Sequence, residues 1–359
     1  MVSIVVGGHY GDEGKGKVVS YLALEDDPAY IGRAGVGPNA GHTVVYNGKK
    51  YGLRMITCGF VNPSSNLLVG AGVLVDVKRF LEEVELTNTR GRAFIDKRCT
   101  IIEQEHKDAD KGDNSKKIGT TGSGCGPANA ARVNRTAKLS REFPELSEYI
   151  TDVPEVLNDA IDSGQGVLIE GTQGFGLSLW WGNYPYVTSK DTTASTAAAD
   201  CGIGPTRVKS VYVVYKAYMS RVGEDPYVHY LSDEEIKSTP EFSRLLKQAD
   251  EKGLQGTGNQ KIAQVLGEVG TVTGRPRKIG GFDFALARYS ARINGATDVC
   301  VTCLDKLYPE CASARKKSDL PKEALAHVKR IEDKIGIKAT LISTGPEVYD
   351  VVDLRDGPK

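Results

Sequence analysis

The stretch GGHYGDEGKGKVV, residues 7 to 19, holds glycines, lysines and acids at a spacing that suits anion chemistry. A glycine-rich turn that opens a helix offers successive backbone N–H groups to a phosphate, and Lys15 adds a point charge. The common phosphate loop reads Gly-x-x-x-x-Gly-Lys-Ser/Thr. Here His9 stands five residues before Gly14, and Gly16 follows Lys15. Asp12 and Glu13 sit where phosphate oxygens would repel them. A carboxylate belongs there if a Mg²⁺ lies between it and the phosphates, or if it takes a proton from a second substrate. The bland alternative is a solvated glycine-rich turn.

Four more loops carry candidate groups. GVGPNAGHT (35–43) places His42 in a Gly/Asn-rich turn, where an imidazole could stabilise charge on a leaving phosphate. IGTTGSGCGP (118–127) offers the hydroxyls of Thr120 and Thr121 among glycines, which suits a monophosphate or a plain linker. EGTQG (170–174) presents Gln173, whose amide can read a base edge. GTVTGRPRKIG (270–280) sets Arg275 and Arg277 around a proline beside Thr271 and Thr273. Arginine forks match carboxylates and phosphates in pairs of hydrogen bonds, although a solvated basic loop has the same composition. Cys300-x-x-Cys303 lies in an apolar run without a suitably spaced histidine, so it reads as buried thiols rather than a zinc or redox pair.

These loops follow elements that alternate. VSIVV (2–6), GVLIEGTQG (166–174), VKSVYVVYKAY (208–218), DVCVTCLD (298–305) and KATLIST (338–344) read as buried strands. KVVSYLAL (17–24), VKRFLEEVEL (77–86), DVPEVLNDAIDSG (152–164), IGGFDFALARYSARING (279–295) and LPKEALAHVKRIEDKIG (320–336) read as helices. HTVVYNGKKYGLRMI (42–56) turns at Asn47-Gly48, a hairpin signal. NLLVGAGVLVD (66–76) is apolar with glycines, and HKDADKGDNSKK (106–117) reads as a charged, mobile loop. The alternation predicts an α/β fold: a central, mainly parallel sheet flanked by helices, with the phosphate loop after the first strand. A single domain over 1–359 is expected, with a polar helical surface insertion at 229–266.

The chain has 359 residues, and Lys+Arg and Asp+Glu each total 46. A balanced charge gives no basic field for nucleic acid or an anionic membrane. No apolar run approaches the ~18–20 residues of a membrane helix. The N-terminus lacks a basic n-region and reads as a strand rather than a signal peptide. Seven scattered cysteines fit a reducing, cytoplasmic setting.

Taken in order, GDEGKGK, NAGHT, IGTTGSGCGP, EGTQG, YPYVTS (184–189), GPTRV (204–208), VTGRPR (272–277) and STGP (343–346) resemble the adenylosuccinate synthetase family over nearly the whole chain. The length is similar to the short archaeal-type form. The resemblance implies a ligase of purine biosynthesis that joins IMP to L-aspartate with GTP and Mg²⁺. It implies that Asp12 is the base for N1 of hypoxanthine and a metal ligand together with the carbonyl of Gly41. Lys15 and the amides of Gly11, Glu13, Gly14 and Gly16, with Gly41 and Thr43, would hold the donor phosphates, and His42 would act as the acid toward the leaving diphosphate. Asn39, Thr120, Thr121, Gln173, Thr188 and Arg275 match positions that hold the purine nucleotide, with Gln173 also in the catalytic set. Arg135 matches an arginine that reaches the neighbouring site in a homodimer. Val272, Thr273, Arg275 and Arg277 match the aspartate loop. Asp305, Ser343, Thr344 and Gly345 match the site of the donor base.

Two departures stand out. The family's Thr-Lys-Leu-Asp reads Thr302-Cys303-Leu304-Asp305, and GPN (37–39) replaces Gly-His-Asn. The first keeps open a phage-type homologue that takes dGMP, with ATP as donor. In that branch the position of Asp12 is often Ser or Thr, so the retained aspartate favours IMP. A nucleotide-binding regulator without catalysis is the other alternative, but it needs no proton-transfer pair.

Overall fold

Residues 1–223, 225–269 and 277–355 are described by the computed structural model, with 114–116 described in their backbone alone. Ten strands form the central sheet. In chain order they are β1 (Val2–Gly7), β2 (Tyr30–Arg33), β3 (Asn66–Val69), β4 (Ala93–Asp96), β5 (Ile150–Thr151), β6 (Val167–Glu170), β7 (Val208–Lys216), β8 (Asp298–Thr302), β9 (Ala339–Ser343) and β10 (Val351–Asp353). Their spatial order is β10-β9-β8-β7-β1-β6-β2-β3-β4-β5. Every neighbouring pair is parallel except β9 with β10, which is antiparallel. The fold is α/β, as the alternation of elements predicts.

The strands are apolar on both faces because helices cover both. Successive side chains of β1 divide between two cores: Ile4 and Val6 join one, Val5 the other. Chain order reverses around β1. The chain steps past one strand position to β2, runs outward to β5, returns with β6 into the gap, and then builds outward from β7 on the other side. Such a switch point leaves a crevice at the carboxyl ends of the central strands, where ligands of open α/β sheets bind.

The strand–turn–helix after β1 forms as expected. Helix α1 spans Lys15–Glu25 and starts from Gly14, at φ 84, without any side-chain cap. The hairpin His42–Tyr46 with Lys49–Leu53 turns through Asn47 and Gly48, both at positive φ. The 229–266 segment folds into helices Asp233–Ser238, Pro240–Glu251 and Gly258–Leu266. Its Ile236, Phe242, Leu245 and Ile262 belong to the same core as β1.

Two local expectations change. Residues 106–117 are not a plain loop: helices Gln104–Ala109 and Asp113–Ile118 form there. His106 is buried and accepts from the Glu103 amide at 3.0 Å, a cap that composition does not reveal. The helix expected from 279 begins at Phe284, where the Asp283 side chain accepts from the Leu286 amide at 2.9 Å. The residues before it, Lys278–Gly280, pair instead with Met219–Arg221 in a two-stranded ribbon. The antiparallel edge strand β10 has no clear sequence signal, being only three residues long. No helix among the described residues is long and apolar enough to cross a membrane.

Candidate active site

The turn after β1 is shaped by left-handed backbone. Gly11, Asp12 and Gly14 have φ of 88, 60 and 84°. Left-handed residues in a tight turn of this kind turn backbone amides toward one concave side. Asp12 is the one member with a side chain, and a carboxylate tolerates this region better than most groups. Helix α1 then begins with its first amides uncapped, which leaves them to an anion.

Glu13 answers half of the puzzle of acids in a phosphate loop. Its side chain turns inward and accepts from the amides of His9 at 3.1 Å and Gly11 at 2.8 Å. Lys15 Nζ lies 2.7 Å from its other oxygen. Burial opposes the charge, but Lys15 and the loop amides outweigh it and hold this carboxyl below its ordinary value. The Glu13 carboxylate is thus an internal strut. The Thr302 hydroxyl donates to the Glu13 carbonyl at 2.6 Å and fastens the loop to the end of β8.

A cavity of about 680 Å³ opens above the switch point. Gly11, Asp12, Lys15, Asn39, Gly41, His42, Thr120, Thr121, Gln173 and Thr188 all line it. Residues as far apart in sequence as Gly11 and Thr188 therefore meet around one space. Two helix N-termini reach this space: α1, and Cys125–Asn134, which also starts from a left-handed glycine without a side-chain cap.

His42 is held from behind. Its Nδ1 is hydrogen-bonded to Glu170, at the end of β6, and Arg33, at the end of β2, lies 3.1 Å from the same carboxylate oxygen. The Cys58 amide donates to the other oxygen at 2.6 Å. With the Nδ1 proton assigned to Glu170, Nε2 is the nitrogen left for a ligand. Burial and the Arg33 charge push the His42 pKa down, against the pull of Glu170. Burial likewise disfavours the Glu170 carboxylate, but His42 and Arg33 overcome it and keep the group ionised. Neither Arg33 nor Glu170 is predicted from sequence. The available signal was a charge at the end of each of two adjacent buried strands.

A chain of side-chain hydrogen bonds crosses the cavity floor. Thr172 donates to the Gln173 amide oxygen. The Gln173 amide nitrogen donates to Asn39 at 3.0 Å, and Asn39 donates to the Thr188 hydroxyl at 3.2 Å. The direction of each bond fixes both amide orientations and leaves the Thr188 proton free to donate outward. Gln173 holds a left-handed φ of 54°, a strained conformation of the kind that collects at functional sites.

The remaining predicted residues fall in three places. Arg277 lies beside the loop, with Nε 2.9 Å from the Asp12 carboxylate and Nη1 2.6 Å from Glu268. Ser343, Thr344 and Gly345 lie at the end of β9 and Asp305 just after β8, all outside the cavity lining, and Lys17 joins Ser343 and Gly345 to α1. Lys17 Nζ donates to the Ser343 hydroxyl at 2.8 Å, to the Asp350 carbonyl at 2.8 Å, and to the Gly345 carbonyl. Burial pushes its pKa down to about 8, and it too was missed. Gly16 packs where a Cβ would come 2.8 Å from Cys58 Sγ, and Thr43 begins the hairpin beside His42. Arg135 is exposed at the end of helix Cys125–Asn134 and does not reach this chain's own cavity. Val272, Thr273 and Arg275 lie outside the described residues.

Among the described residues, His42, Cys58 and Glu170 are the one cluster of metal-ligating types. Its atoms are already engaged with one another and with Arg33, and so it does not suit a cation. Asp12 and Gly41 both line the cavity, and a carboxylate and a backbone carbonyl are the hard oxygens that Mg²⁺ prefers.

The cysteines are free, and six of the seven are buried. Cys300 sits in β8 and Cys303 begins the helix Leu304–Leu307 at φ 57°. Neither is part of a metal cluster among the described residues.

Comparison with known proteins agrees with this geometry. The family model described as adenylosuccinate synthetase matches residues 4–143 and 137–311. The chain is 51% identical to the adenylosuccinate synthetase of Methanosphaera stadtmanae over 99% of its length and 98% of that protein's. It is 51% identical to that of Archaeoglobus fulgidus over 98% of each. Among solved structures, a fully ligated adenylosuccinate synthetase from Plasmodium falciparum superposes with a TM-score of 0.83 at 23% identity, covering 99% of this chain and 100% of that one. The succinoaminodeoxyadenylate synthetase of cyanophage S-2L, bound to dGMP with dATP as energy donor, superposes with a TM-score of 0.75 at 26% identity, covering 98% and 95%. The order of the motifs, the cavity they build and the full-length identity agree: the chain belongs to the adenylosuccinate synthetase family, ligases that form a C–N bond between IMP and aspartate.

Proposed function

We propose that the cavity performs this ligation with IMP, L-aspartate and GTP, and that Asp12 is its base. The observation that carries the reading is the convergence of Asp12, Lys15 and His42 on one cavity served by two uncapped helix N-termini. A ligase that activates one phosphorylated substrate with another must hold two sets of phosphates, and each helix start suits one of them. The α1 loop takes the donor. The helix after Thr120 and Thr121 takes the IMP monophosphate, with the outward hydroxyl of Thr188.

Asp12 accepts the N1 proton of hypoxanthine while the 6-oxygen attacks the γ-phosphorus. The bond to the bridging oxygen breaks and GDP leaves. Lys15 and the amides at the start of α1 hold the charge that passes to the β-phosphate, and His42 stabilises it further when that charge draws a proton onto Nε2. The amine of aspartate then attacks C6, the C6–O bond breaks, and phosphate departs. Gln173 and Asn39, whose amides are fixed in direction, hold the nucleotide against rotation. Asp12 and the Gly41 carbonyl would bind Mg²⁺, which neutralises phosphate charge when bound. Arg277 takes a carboxylate of aspartate. The exposed Arg135 fits a homodimer in which it serves the neighbouring subunit's nucleotide, and a cytoplasmic setting fits the free cysteines.

A second reading, dGMP with ATP, rests on Cys303. The family's lysine is absent there, so the donor base loses one cationic neighbour. Asp12 argues for IMP, because the dGMP-using branch that the sequence resembles often carries Ser or Thr at this position. The deciding experiment supplies IMP or dGMP with GTP or ATP, plus aspartate and Mg²⁺, and reads the products by mass spectrometry. Adenylosuccinate formed with GTP is expected. A product from dGMP alone would overturn the assignment.

A further inference from the structure

We propose that Glu268 is a positioning residue for this reaction, holding Arg277 in place for the carboxylate of aspartate. The inference rests on the reading that Arg277 meets that carboxylate.

Glu268 follows the helix Gly258–Leu266, which ends at the left-handed Gly267. It is 5% exposed and yet charged. One carboxylate oxygen takes Lys216 Nζ at 2.6 Å and the Tyr218 hydroxyl at 2.5 Å. The other takes Arg277 Nη1 at 2.6 Å and the Ser220 hydroxyl at 3.2 Å. The Arg277 amide also donates to the Glu268 carbonyl at 3.0 Å. Lys216 ends β7, Tyr218 lies between β7 and the small ribbon, Ser220 is in one strand of that ribbon, and Arg277 is the residue that leads into its other strand. One carboxylate thus fastens the root of the aspartate loop to the central sheet.

The charges explain why a carboxylate is needed. Lys216 is 4% exposed and Arg277 9% exposed, both cationic, and Glu268 stands between them. Arg277 has a second anionic neighbour in Asp12, 2.9 Å from Nε. Without Glu268 the repulsion from Lys216 is uncompensated, and Asp12 is the remaining anchor. The guanidinium would then serve the base rather than the substrate. Glu268 touches no reacting atom in this scheme and acts through Arg277 alone.

The test is steady-state kinetics on Glu268→Gln, Glu268→Asp, Arg277→Gln and the Glu268→Gln/Arg277→Gln double variant. Glu268→Gln should raise KM for aspartate about 10–100-fold, the size of one lost charged hydrogen bond, and leave KM for both nucleotides within about twofold. Glu268→Asp should recover part of the loss. In the Arg277→Gln background the Glu268 change should add nothing, because residues acting as one unit are not additive. Additive losses, or equal losses for all three substrates, would overturn the positioning role. If Arg277→Gln itself leaves aspartate KM unchanged, the aspartate reading of Arg277 fails first. Should Glu268→Gln not fold, Tyr218→Phe removes one donor from the Glu268 oxygen that Lys216 also contacts. It should raise aspartate KM a few-fold, and no change would refute the proposal.

Discussion

Arg277 Nε lies 2.9 Å from the carboxylate of Asp12, so the group assigned as base already has a cation at its side. Asp12 lines the cavity and contributes nothing to either core. Asp12→Asn keeps the shape of the loop and removes the base. We expect kcat to fall about 10²–10⁴-fold in a protein that still folds. A folded variant with nearly normal kcat would remove Asp12 from the chemistry.

Glu170 orients His42 through Nδ1 and balances Arg33. Glu170→Gln should lower kcat about 10–100-fold, by analogy with the outer partners that orient liganding histidines, and change nucleotide KM much less. The variant should also be less stable, since Arg33 is left fully buried beside an uncharged partner. Unchanged kcat would show that His42 needs no such support.

Lys17 ties α1 to the Ser343–Gly345 turn through three acceptors. Lys17→Met keeps the length and removes all three bonds. KM for the donor nucleotide should rise at least about tenfold, one charged hydrogen bond or more, while KM for IMP and aspartate holds. Binding of the donor measured by calorimetry provides a check that does not depend on turnover.

Arg135 is exposed and remote from its own cavity. If it completes the neighbour's site, mixing Arg135→Leu with Asp12→Asn should restore activity, because a mixed dimer rebuilds one intact site. Absence of recovery, with subunit exchange demonstrated by mass spectrometry of labelled chains, would count against sharing.

His9, His42 and His327 are all buried, and burial pushes each of their pKa values down. A lowered pKa means that the unfolded chain binds more protons than the native one. Stability therefore rises with pH across this window. It is complete above the ordinary histidine value of about 6.5 and is lost as pH falls below it. Urea midpoints should be lower at acid than at neutral pH. His327→Gln, far from the cavity but able to keep a donor for the Ala217 carbonyl, should flatten that slope.

Sequence determined the chemistry-bearing loops and the layered α/β plan. Both follow from local rules: glycines permit the left-handed turn at residues 11–14, and unbroken apolar runs require a sheet covered on both faces. Asp12, Lys15, Asn39, Gly41, His42, Thr120, Thr121, Gln173 and Thr188 were each legible from their motifs, and the cavity brings them together. Sequence could not separate the two adjacent acids, Asp12 and Glu13. Only the fold turns one carboxylate to the cavity and buries the other against His9, Gly11 and Lys15. Nor could it reveal Glu170 behind His42, 128 residues away, or Lys17 beneath Ser343, 326 residues away. Partners of that kind have no periodicity or spacing to mark them. They exist because parallel strands bring their carboxyl ends side by side, and a buried charge there persists only where another element supplies its counterpart.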